Sequence, residues 1–318
     1  MTYHQPVLRD ESVTALVHNP AGTYLDLTFG GGGHSRAILD RLSGGRLIAF
    51  DQDPDAAANA EAPDAVGSGL TFIAANFRHV SKYLRLHGIK TADGILADLG
   101  VSSHQFDVPD RGFSTRFEAE LDMRMDPASP RTAQHILNTY SEAELHRILG
   151  MYGEVRNART LAQALVAARV AQPLRTVEEL KKVLSRLAPR GRESKYYAQV
   201  FQALRIEVNE ELDALREMLR AVPTLLKPGG RLAVISYHSL EDRLVKNLIQ
   251  TGNLEGKVQQ DFYGNVIKPL VAVNRKPITP SLEELERNPR ARSAKLRIAE
   301  KSQRSIVDSP QSTVDCRN

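Results

Sequence analysis

The sequence predicts an α/β protein in which a parallel sheet is interrupted by an inserted helical segment. Three observations predict this class. Short apolar runs alternate with helix-like segments over the first hundred residues, the alternation stops from about Ser103 to about Arg205, and a further apolar run follows Lys227. Continuous apolar strands that alternate with helices are typical of a parallel sheet covered by helices on both faces.

Seven segments have the composition of buried strands. They are Thr23–Phe29, Arg46–Asp53, Leu70–Phe77, Asp93–Gly100, Lys227–Ser239, Val266–Asn274 and Ala294–Lys301. Helices are predicted between the first four, one beginning at Asp53-Pro54 and another ended by Gly88.

The interrupted region contains two helix-start signals. Ser141 with Glu144, and Thr176 with Glu179, each have the spacing of a capping box. A long amphipathic helix, roughly Ala198–Val222, is expected to return the chain to the sheet. The predicted organisation is therefore one discontinuous sheet domain (1–104 and 206–300), a helical domain (105–205) and a disordered tail (301–318).

Composition narrows the class of protein. Hydrophobic residues make up 42% of the 318 and charged residues 25%, which is ordinary for a soluble globular protein. Neither a membrane span nor a secretory signal is visible, and the single cysteine, Cys316, allows no internal disulfide. A cytoplasmic protein is expected. Net charge is +4, and basic residues cluster at 186–205 and 287–304, which indicates either a solvated face or a nucleic-acid surface.

Four consecutive glycines, Gly30–Gly33, follow the first predicted strand. The lysine of a phosphate-binding P-loop is missing, and the G-x-G-x-x-G dinucleotide pattern does not fit. A nucleoside cofactor without phosphates fits better, and S-adenosylmethionine is the common one. Asp26 lies before the loop, where a cationic methionine amine could bind, and Asp51 ends the next strand, where a carboxylate could accept both ribose hydroxyls. A flexible turn is the remaining alternative.

Several motifs together resemble one known family. The sequences "DLTFGGGGHSRAIL", "DGILADLGVSSHQFD", "LDMRMD", "FQALRIEVNEEL", "GGRLAVISYHSLEDRLVK" and "NPRARSAKLRIAE" resemble the bacterial 16S ribosomal RNA cytosine-N4 methyltransferases, also called RsmH or MraW. The motifs run in order from about Tyr3 to Lys301. The resemblance implies a Rossmann-like class I S-adenosylmethionine-dependent methyltransferase sheet with an inserted helical domain for substrate recognition. It also implies a target cytidine in the decoding region of the small ribosomal subunit, with 16S rRNA as partner.

The resemblance also implies a set of cofactor-binding residues. Gly32, Gly33 and His34 are expected at the methionine end of the cofactor and Phe77 beside the adenine, with Asp51 on the ribose. Asp98 and Gln105 complete the cofactor set.

Asp98 is also the candidate catalytic residue. The exocyclic amine of cytosine is a poor nucleophile, so its site needs an acceptor at the carboxyl end of the sheet, and Asp98 leaves the fourth strand there. An alternative role is to orient the cofactor alone.

Candidate substrate contacts are less specific. Tyr237 and His238 end the fifth strand, where an aromatic ring could stack on a displaced base, although a buried structural histidine fits equally well. Arg111 and Phe113 could contact RNA or pack the helical segment. Lys195, with Tyr196 and Tyr197, offers charge and aromatic surface.

Three functional classes stay open from the sequence. An RNA methyltransferase is favoured. A non-catalytic RNA-binding or ribosome-assembly factor with the same fold, and an NAD-dependent oxidoreductase, are the alternatives. No histidine has metal-ligand spacing, so no catalytic metal is expected. A homodimer is compatible with the sequence.

Overall fold

A computed structural model describes residues 6–61 and 69–303, which form one seven-stranded sheet with helices on both sides. The strands are β1 Thr23–Asp26, β2 Arg46–Asp51, β3 Leu70–Ala74, β4 Ala92–Asp98, β5 Leu226–Ser236, β6 Leu270–Ala272 and β7 Lys295–Lys301. All seven predicted strands are thus confirmed, with shorter bounds in most cases.

The helices follow the same chain order. They are α1 Arg9–Leu16, α2 Gly33–Leu39, α3 Pro54–Glu61, α4 Val80–Leu86, α5 Ser103–Asp107, α6 Ala133–Thr139, α7 Glu142–Met151, α8 Ala158–Ala171, α9 Val177–Ser185, α10 Glu193–Asn209, α11 Glu211–Leu225, α12 Ser239–Thr251 and α13 Leu282–Arg287. Short 3₁₀ turns lie at Phe77–His79, Pro109–Arg111 and Pro289–Ser293.

The strand order is β3-β2-β1-β4-β5-β7-β6. Strands β1 to β5 pair in parallel, whereas β7 runs antiparallel to both β5 and β6. The chain builds outward from β1 to β3 and then returns to place β4 on the other side of β1. Since ligands of open α/β sheets bind where the strand order reverses, this topology places a binding crevice beyond the carboxyl ends of β1 and β4.

Each face of the sheet has its own apolar core. Leu25 and Ile95 pack with α11 residues such as Leu219 on one face, and Tyr24 and Leu96 pack with α1 and α2 on the other. Successive strand residues point to opposite faces, so these neighbouring pairs supply both cores. The continuous apolar runs of the sequence are therefore required by burial on both sides.

A third core lies outside the sheet. Its buried members come from 113–208, mainly from α6 to α10, and include Leu121, Ile148 and Leu165. Both predicted capping boxes are present at the starts of α7 and α9. Helices α6 to α10 therefore share one apolar core. The exact domain boundaries stay a prediction.

The expected long helix Ala198–Val222 is wrong, because two helices replace it. Glu210 separates α10 from α11 and has φ 49°, in the left-handed region. Its carboxylate accepts from Arg78 at 2.6 Å and from Arg131 at 3.2 Å. The break is thus stabilised by two distant arginines, one beside the sheet and one in the helical part.

The predicted disordered tail, 301–318, begins too early. Lys301 is the last residue of β7, and the Ser302 amide donates to the carbonyl of Pro269. Residues 304–318, which include Cys316, lie outside the described residues.

Candidate active site

A cavity of about 870 Å³ lies at the carboxyl ends of the parallel strands. Its walls include Thr28, Asp51 and Asp98 from the sheet and Phe113 and Phe201 from the helical part. This volume is within the range of small-molecule sites. The sheet and the helical part together therefore enclose one large site at the position that the topology predicts.

The glycine loop forms one wall of this cavity. The Gly30 amide donates to Asp51 Oδ2 at 2.8 Å, and Gly32 has φ 75°. A Cβ on Gly33 would lie 2.2 Å from Cγ of Pro6. Side chains at these positions would strain the loop or displace the N-terminal segment, so the glycines are needed for close packing as well as for turning.

Asp51 lies at the end of β2 and lines the cavity, while its contact with ribose hydroxyls stays a prediction. Its two carboxylate oxygens accept from the Gly30 amide and from the Asp53 amide at 3.0 Å. Burial raises the pKa of Asp51 to about 6. Each oxygen keeps a second lone pair, and the residue lines the cavity together with Phe77.

Asp98 lies at the carboxyl end of β4 and lines the same cavity. Tyr237 donates its hydroxyl proton to Asp98 Oδ1 at 2.8 Å, and Thr28 Oγ1 accepts from the Asp98 amide at 2.7 Å. Burial raises the pKa of Asp98 to about 7, although the bond from Tyr237 opposes this change. Asp98 is thus a carboxyl group that is oriented by a hydrogen bond from Tyr237 and can ionise near neutral pH.

His34 lies beside Asp98 but is held by the N-terminal segment. Its Nε2 is 3.2 Å from the carbonyl of Val7, and its Nδ1 is 3.8 Å from Asp98 Oδ2. Burial lowers the pKa of His34 to about 4. The neutral ring can thus donate to the Val7 carbonyl.

Asp26 is buried behind the glycine loop and is not among the cavity-lining residues. Its carboxylate accepts from Ser35 Oγ at 2.6 Å and from the Thr28 amide at 3.1 Å. Burial raises the pKa of Asp26. This placement favours a role in fastening α2 to β1 over the expected direct contact with a cofactor amine.

Gln105 and Arg111 converge on one buried carboxylate, Asp53. Gln105 Nε2 donates to Asp53 Oδ2 at 2.5 Å, and Arg111 Nη2 donates to the same oxygen at 2.9 Å. Arg111 also donates to the carbonyls of Arg124 and Met125. Of the two alternatives for Arg111, packing is the one that these contacts support, and its RNA contact stays a prediction.

The other candidate substrate residues differ in exposure. Tyr196 is 5% exposed, so it does not add the aromatic surface that the sequence suggested. Phe113 is 4% exposed and packs in the core of the helical part, which supports the packing alternative for this residue. Lys195 is exposed on α10. Tyr237 and His238 both line the cavity. Phe113 lines the cavity as well, although it is buried, so of these five only Tyr196 is placed away from a substrate in the cavity or at the surface.

His238 also begins α12. Its Nδ1 accepts from the Glu241 amide at 3.4 Å, and Glu241 Oε2 accepts in return from the His238 amide at 3.3 Å and also from the Tyr237 amide at 2.8 Å. The buried structural histidine expected as one alternative is therefore present, on the cavity wall.

Glu211, His238 and Glu241 place one ligand-type atom each within 4.8 Å of one another. Such a cluster resembles a metal site. Both carboxylate oxygens of Glu211 already accept from Arg205, however, at 2.7 and 2.9 Å. This cation balances part of the negative charge, which favours a buried ion-pair cluster, and the absence of a catalytic metal stays a prediction.

Sequence reasoning missed several cavity residues. Gln52 accepts from Asn76 Nδ2 at 2.8 Å, and both line the cavity. Pro6 and Val7 also line it. A signal existed for Gln52 and Asn76, because each follows the end of a strand, but none existed for the N-terminal segment.

Within residues 6–61 and 69–303, no helix is long and apolar enough to cross a membrane. The fold is that of a Rossmann-like methyltransferase. Its strand order reverses between β1 and β4, its β7 is antiparallel, and its glycine loop is hydrogen-bonded to the carboxylate of Asp51. A family model described as the MraW methylase family matches residues 1–302. The chain belongs to this family.

Curated relatives agree with the family. The chain is 62% identical over 299 residues to ribosomal RNA small subunit methyltransferase H of Cytophaga hutchinsonii, covering 94% of this chain and 99% of that one. It is 56% identical over 302 residues to the protein of the same name from Bacteroides thetaiotaomicron, covering 95% and 98%. A solved rRNA methylase from Streptococcus thermophilus is only distantly similar, with a TM-score of 0.39 and 13% sequence identity. The match covers 93% of this chain and 94% of that one.

Proposed function

We propose that the protein transfers a methyl group from S-adenosylmethionine to N4 of a cytidine in the decoding region of 16S rRNA, within the small ribosomal subunit. The observation that carries this proposal is the position of Asp98. It is a hydrogen-bonded carboxyl at the switch point of the sheet, beside the glycine loop and inside a cavity shared with the helical part. The names of the curated relatives support an rRNA substrate.

The cavity residues fit this cofactor. Asp51 offers acceptors for ribose hydroxyls, and Phe77 offers an apolar ring beside them. The loop 30–33 has no lysine, so it suits a nucleoside without phosphates. Gly33 and His34 stand where the methionine end is expected, while Gly32 shapes the loop and Gln105 orders Asp53.

When bound, S-adenosylmethionine supplies an electrophilic methyl group on a sulfonium. The protein's contribution is to place and polarise the amine. An ionised Asp98 accepts a hydrogen bond from the amine and keeps its electron pair directed at the cofactor, and Tyr237 holds that carboxylate in place.

The substrate must be unstacked to enter. A cavity of about 870 Å³ at the end of a sheet has room for a displaced base but not for an intact RNA helix. Tyr237 and His238 lie on the wall where that base would sit, and exposed Lys195 could contact the backbone outside. We place the reaction in the cytoplasm, where ribosomal subunits are available, and a homodimer is compatible with this arrangement.

The deciding experiment is methyl transfer from labelled S-adenosylmethionine to small ribosomal subunits and, separately, to naked 16S rRNA. The RNA is digested to nucleosides and analysed by mass spectrometry, with Asp98→Ala as the control. N4-methylcytidine at one site, absent with the variant, is the expected result. Full turnover by Asp98→Ala would exclude both roles given to this residue, and a different methylated nucleoside would contradict the assigned target.

A non-catalytic assembly factor is the second candidate. The organised Asp51 and Asp98 disfavour it, since an RNA-binding scaffold has no use for two buried carboxylates beside a glycine loop. Binding of small subunits without any S-adenosylmethionine affinity would support this candidate. Affinity for NAD instead would support the oxidoreductase.

A further inference from the structure

Arg205 is a cavity residue with no role in the mechanism above. It lies on α10, in a row with Ala198, Phe201 and Gln202 that all line the cavity. These positions are spaced by three or four residues, so they share one face of the helix. The side chain of Arg205 is 14% exposed, and the residue forms part of the cavity wall.

One edge of this guanidinium is already occupied. Its Nε donates to Glu211 Oε1 at 2.7 Å, and its Nη2 donates to Glu211 Oε2 at 2.9 Å. Glu211 is itself 10% exposed and belongs to the cluster with His238 and Glu241. The guanidinium is thus fixed in orientation by a bidentate ion pair before any substrate arrives.

The other edge of the guanidinium donates to no residue within 6–61 and 69–303. Arginine has five N–H donors, so a second fork remains, formed by one N–H of Nη1 and one of Nη2. Among the described residues, the buried side-chain atoms without a hydrogen bond are Ser12 Oγ and His238 Nε2, and the latter lies 3.2 Å from Glu241 Oε1. Arg205 Nη1 bonds to no described residue and is not among these atoms, so it is not fully buried, and the residue lines the cavity.

We propose that Arg205 selects cytosine by donating this second fork to N3 and O2 of the target base. The inference rests on the proposed function. Cytosine presents an amine donor at N4 and two neighbouring acceptors at N3 and O2. Asp98 accepts from the amine and Arg205 donates to the acceptors, so the two residues complement the whole pairing edge. Uracil has a proton on N3 and no amine, and it would be rejected by both groups.

A chain of contacts through intermediate residues connects Asp98 to Arg205. Asp98 bonds to the Tyr237 hydroxyl, and the Tyr237 amide bonds to Glu241. Glu241 lies in the cluster that includes Glu211, which holds Arg205. The acceptor and the donor therefore belong to one connected wall. A role in gripping an RNA phosphate is the competing explanation for a cavity arginine.

The test is a double-mutant cycle in which Arg205 is changed in the protein and N3 is changed in the target base. Small subunits are reconstituted with either cytidine or 3-deazacytidine, which has C–H in place of N3, at the target position. Methyl transfer is measured with wild type, with Arg205→Lys and with Arg297→Lys. Arg297 is the matched control because it also forms a bidentate pair, with Asp242, at 13% exposure, and does not line the cavity.

With wild type, the analogue is expected to lower kcat/KM about 10- to 100-fold, the scale of one bidentate base contact. Arg205→Lys should lose a similar factor on cytidine and then be almost insensitive to the analogue. Arg297→Lys should keep the full sensitivity. Affinity for S-adenosylhomocysteine should stay within about twofold in both variants, which shows that the folded site is retained.

Undiminished sensitivity of Arg205→Lys to the analogue would overturn the inference and favour a phosphate contact. It would leave the proposed function intact, since transfer to cytidine by wild type is measured in the same series. Absence of N4-methylcytidine with wild type would instead refute the proposed function, and the assignment of Arg205 with it.

Discussion

Asp98 is expected to lower the stability of the protein while serving its chemistry. Burial raises its pKa from 3.8 to about 7, so the ionised form is disfavoured in the folded protein. A group whose pKa is raised by folding contributes stability that is complete below its unfolded pKa and is lost as the pH rises through the folded value. Replacing Asp98 by asparagine should therefore stabilise the protein more at pH 8 than at pH 4.5, where only about a quarter of this contribution has been lost.

The size of this stabilisation follows from how far folding raises the pKa of Asp98. A change from 3.8 to about 7 corresponds to at most about 4 kcal/mol at pH 8, with 1.36 kcal/mol for each pKa unit. The asparagine amide is also polar and buried, so we expect about half of this, ~2 kcal/mol. Asparagine Oδ1 can still accept from the Tyr237 hydroxyl, which keeps the local geometry.

The assay is urea unfolding of wild type and Asp98→Asn at pH 4.5 and pH 8 without cofactor. Asp93→Asn is the control, because Asp93 lies on the same strand and has the opposite behaviour. Burial acts to raise the pKa of Asp93, but the hydrogen bonds from Lys227 and Thr23 outweigh it, and the pKa is lowered. Asp93→Asn should therefore destabilise the protein at pH 8.

Equal stability of wild type and Asp98→Asn at pH 8, or a loss in the variant at both pH values, would refute the reasoning. The first result would mean that water or structural adjustment solvates the carboxylate. The second would mean that Asp98 acts mainly as a structural acceptor.

Three further outcomes are expected. The kcat/KM of methyl transfer should rise with pH and level off above about 7 as Asp98 ionises, which a pH–rate profile would check. Gly33→Ala should weaken binding of S-adenosylhomocysteine at least about tenfold, measured by calorimetry, because its Cβ would lie 2.2 Å from Pro6. Arg111→Met should lower the free energy of unfolding by about 3 kcal/mol, since it leaves the buried Asp53 without its cation, as urea unfolding would reveal.

Each of these outcomes has a control or a contrary result. A profile that is flat between pH 5.5 and 8.5 would contradict an ionised Asp98 as acceptor. Gly150→Ala, within α7, should leave the affinity unchanged, because its Cβ would meet nothing closer than 3.8 Å. Arg116→Met removes an exposed arginine, and a loss of stability equal to that of Arg111→Met would contradict the importance of the Asp53 pair.

The sequence predicted the sheet well because its signals are local. Each strand is a short apolar run, and Asp51 and Asp98 mark strand ends that the parallel topology brings to one edge. The capping boxes were equally readable, since Ser141 and Thr176 act within three residues of themselves. The parallel strand order and the acidic residues at the strand ends therefore predict from the sequence that Asp51 and Asp98 lie at one edge of the sheet.

The failures concern contacts between distant segments. Glu210 is neither glycine nor proline, and the arginines that hold it are far away in sequence, so the break between α10 and α11 had no local signal. Arg111 looked available for RNA because its partner, Asp53, is 58 residues away. The burial of Asp26 behind the loop depends on how α2 packs, which periodicity alone does not determine.

The segment Pro6–Val7 has a practical consequence for how the protein is produced. Pro6 covers Gly33, and the carbonyl of Val7 holds His34, so these residues form part of the cavity wall although they precede the first helix. An affinity tag fused at the N-terminus would be attached to the segment that lines the cavity, whereas a C-terminal tag follows β7, whose last residue lies at the opposite edge of the sheet from the cavity. Recombinant protein for binding and kinetic work is therefore best purified through a C-terminal tag.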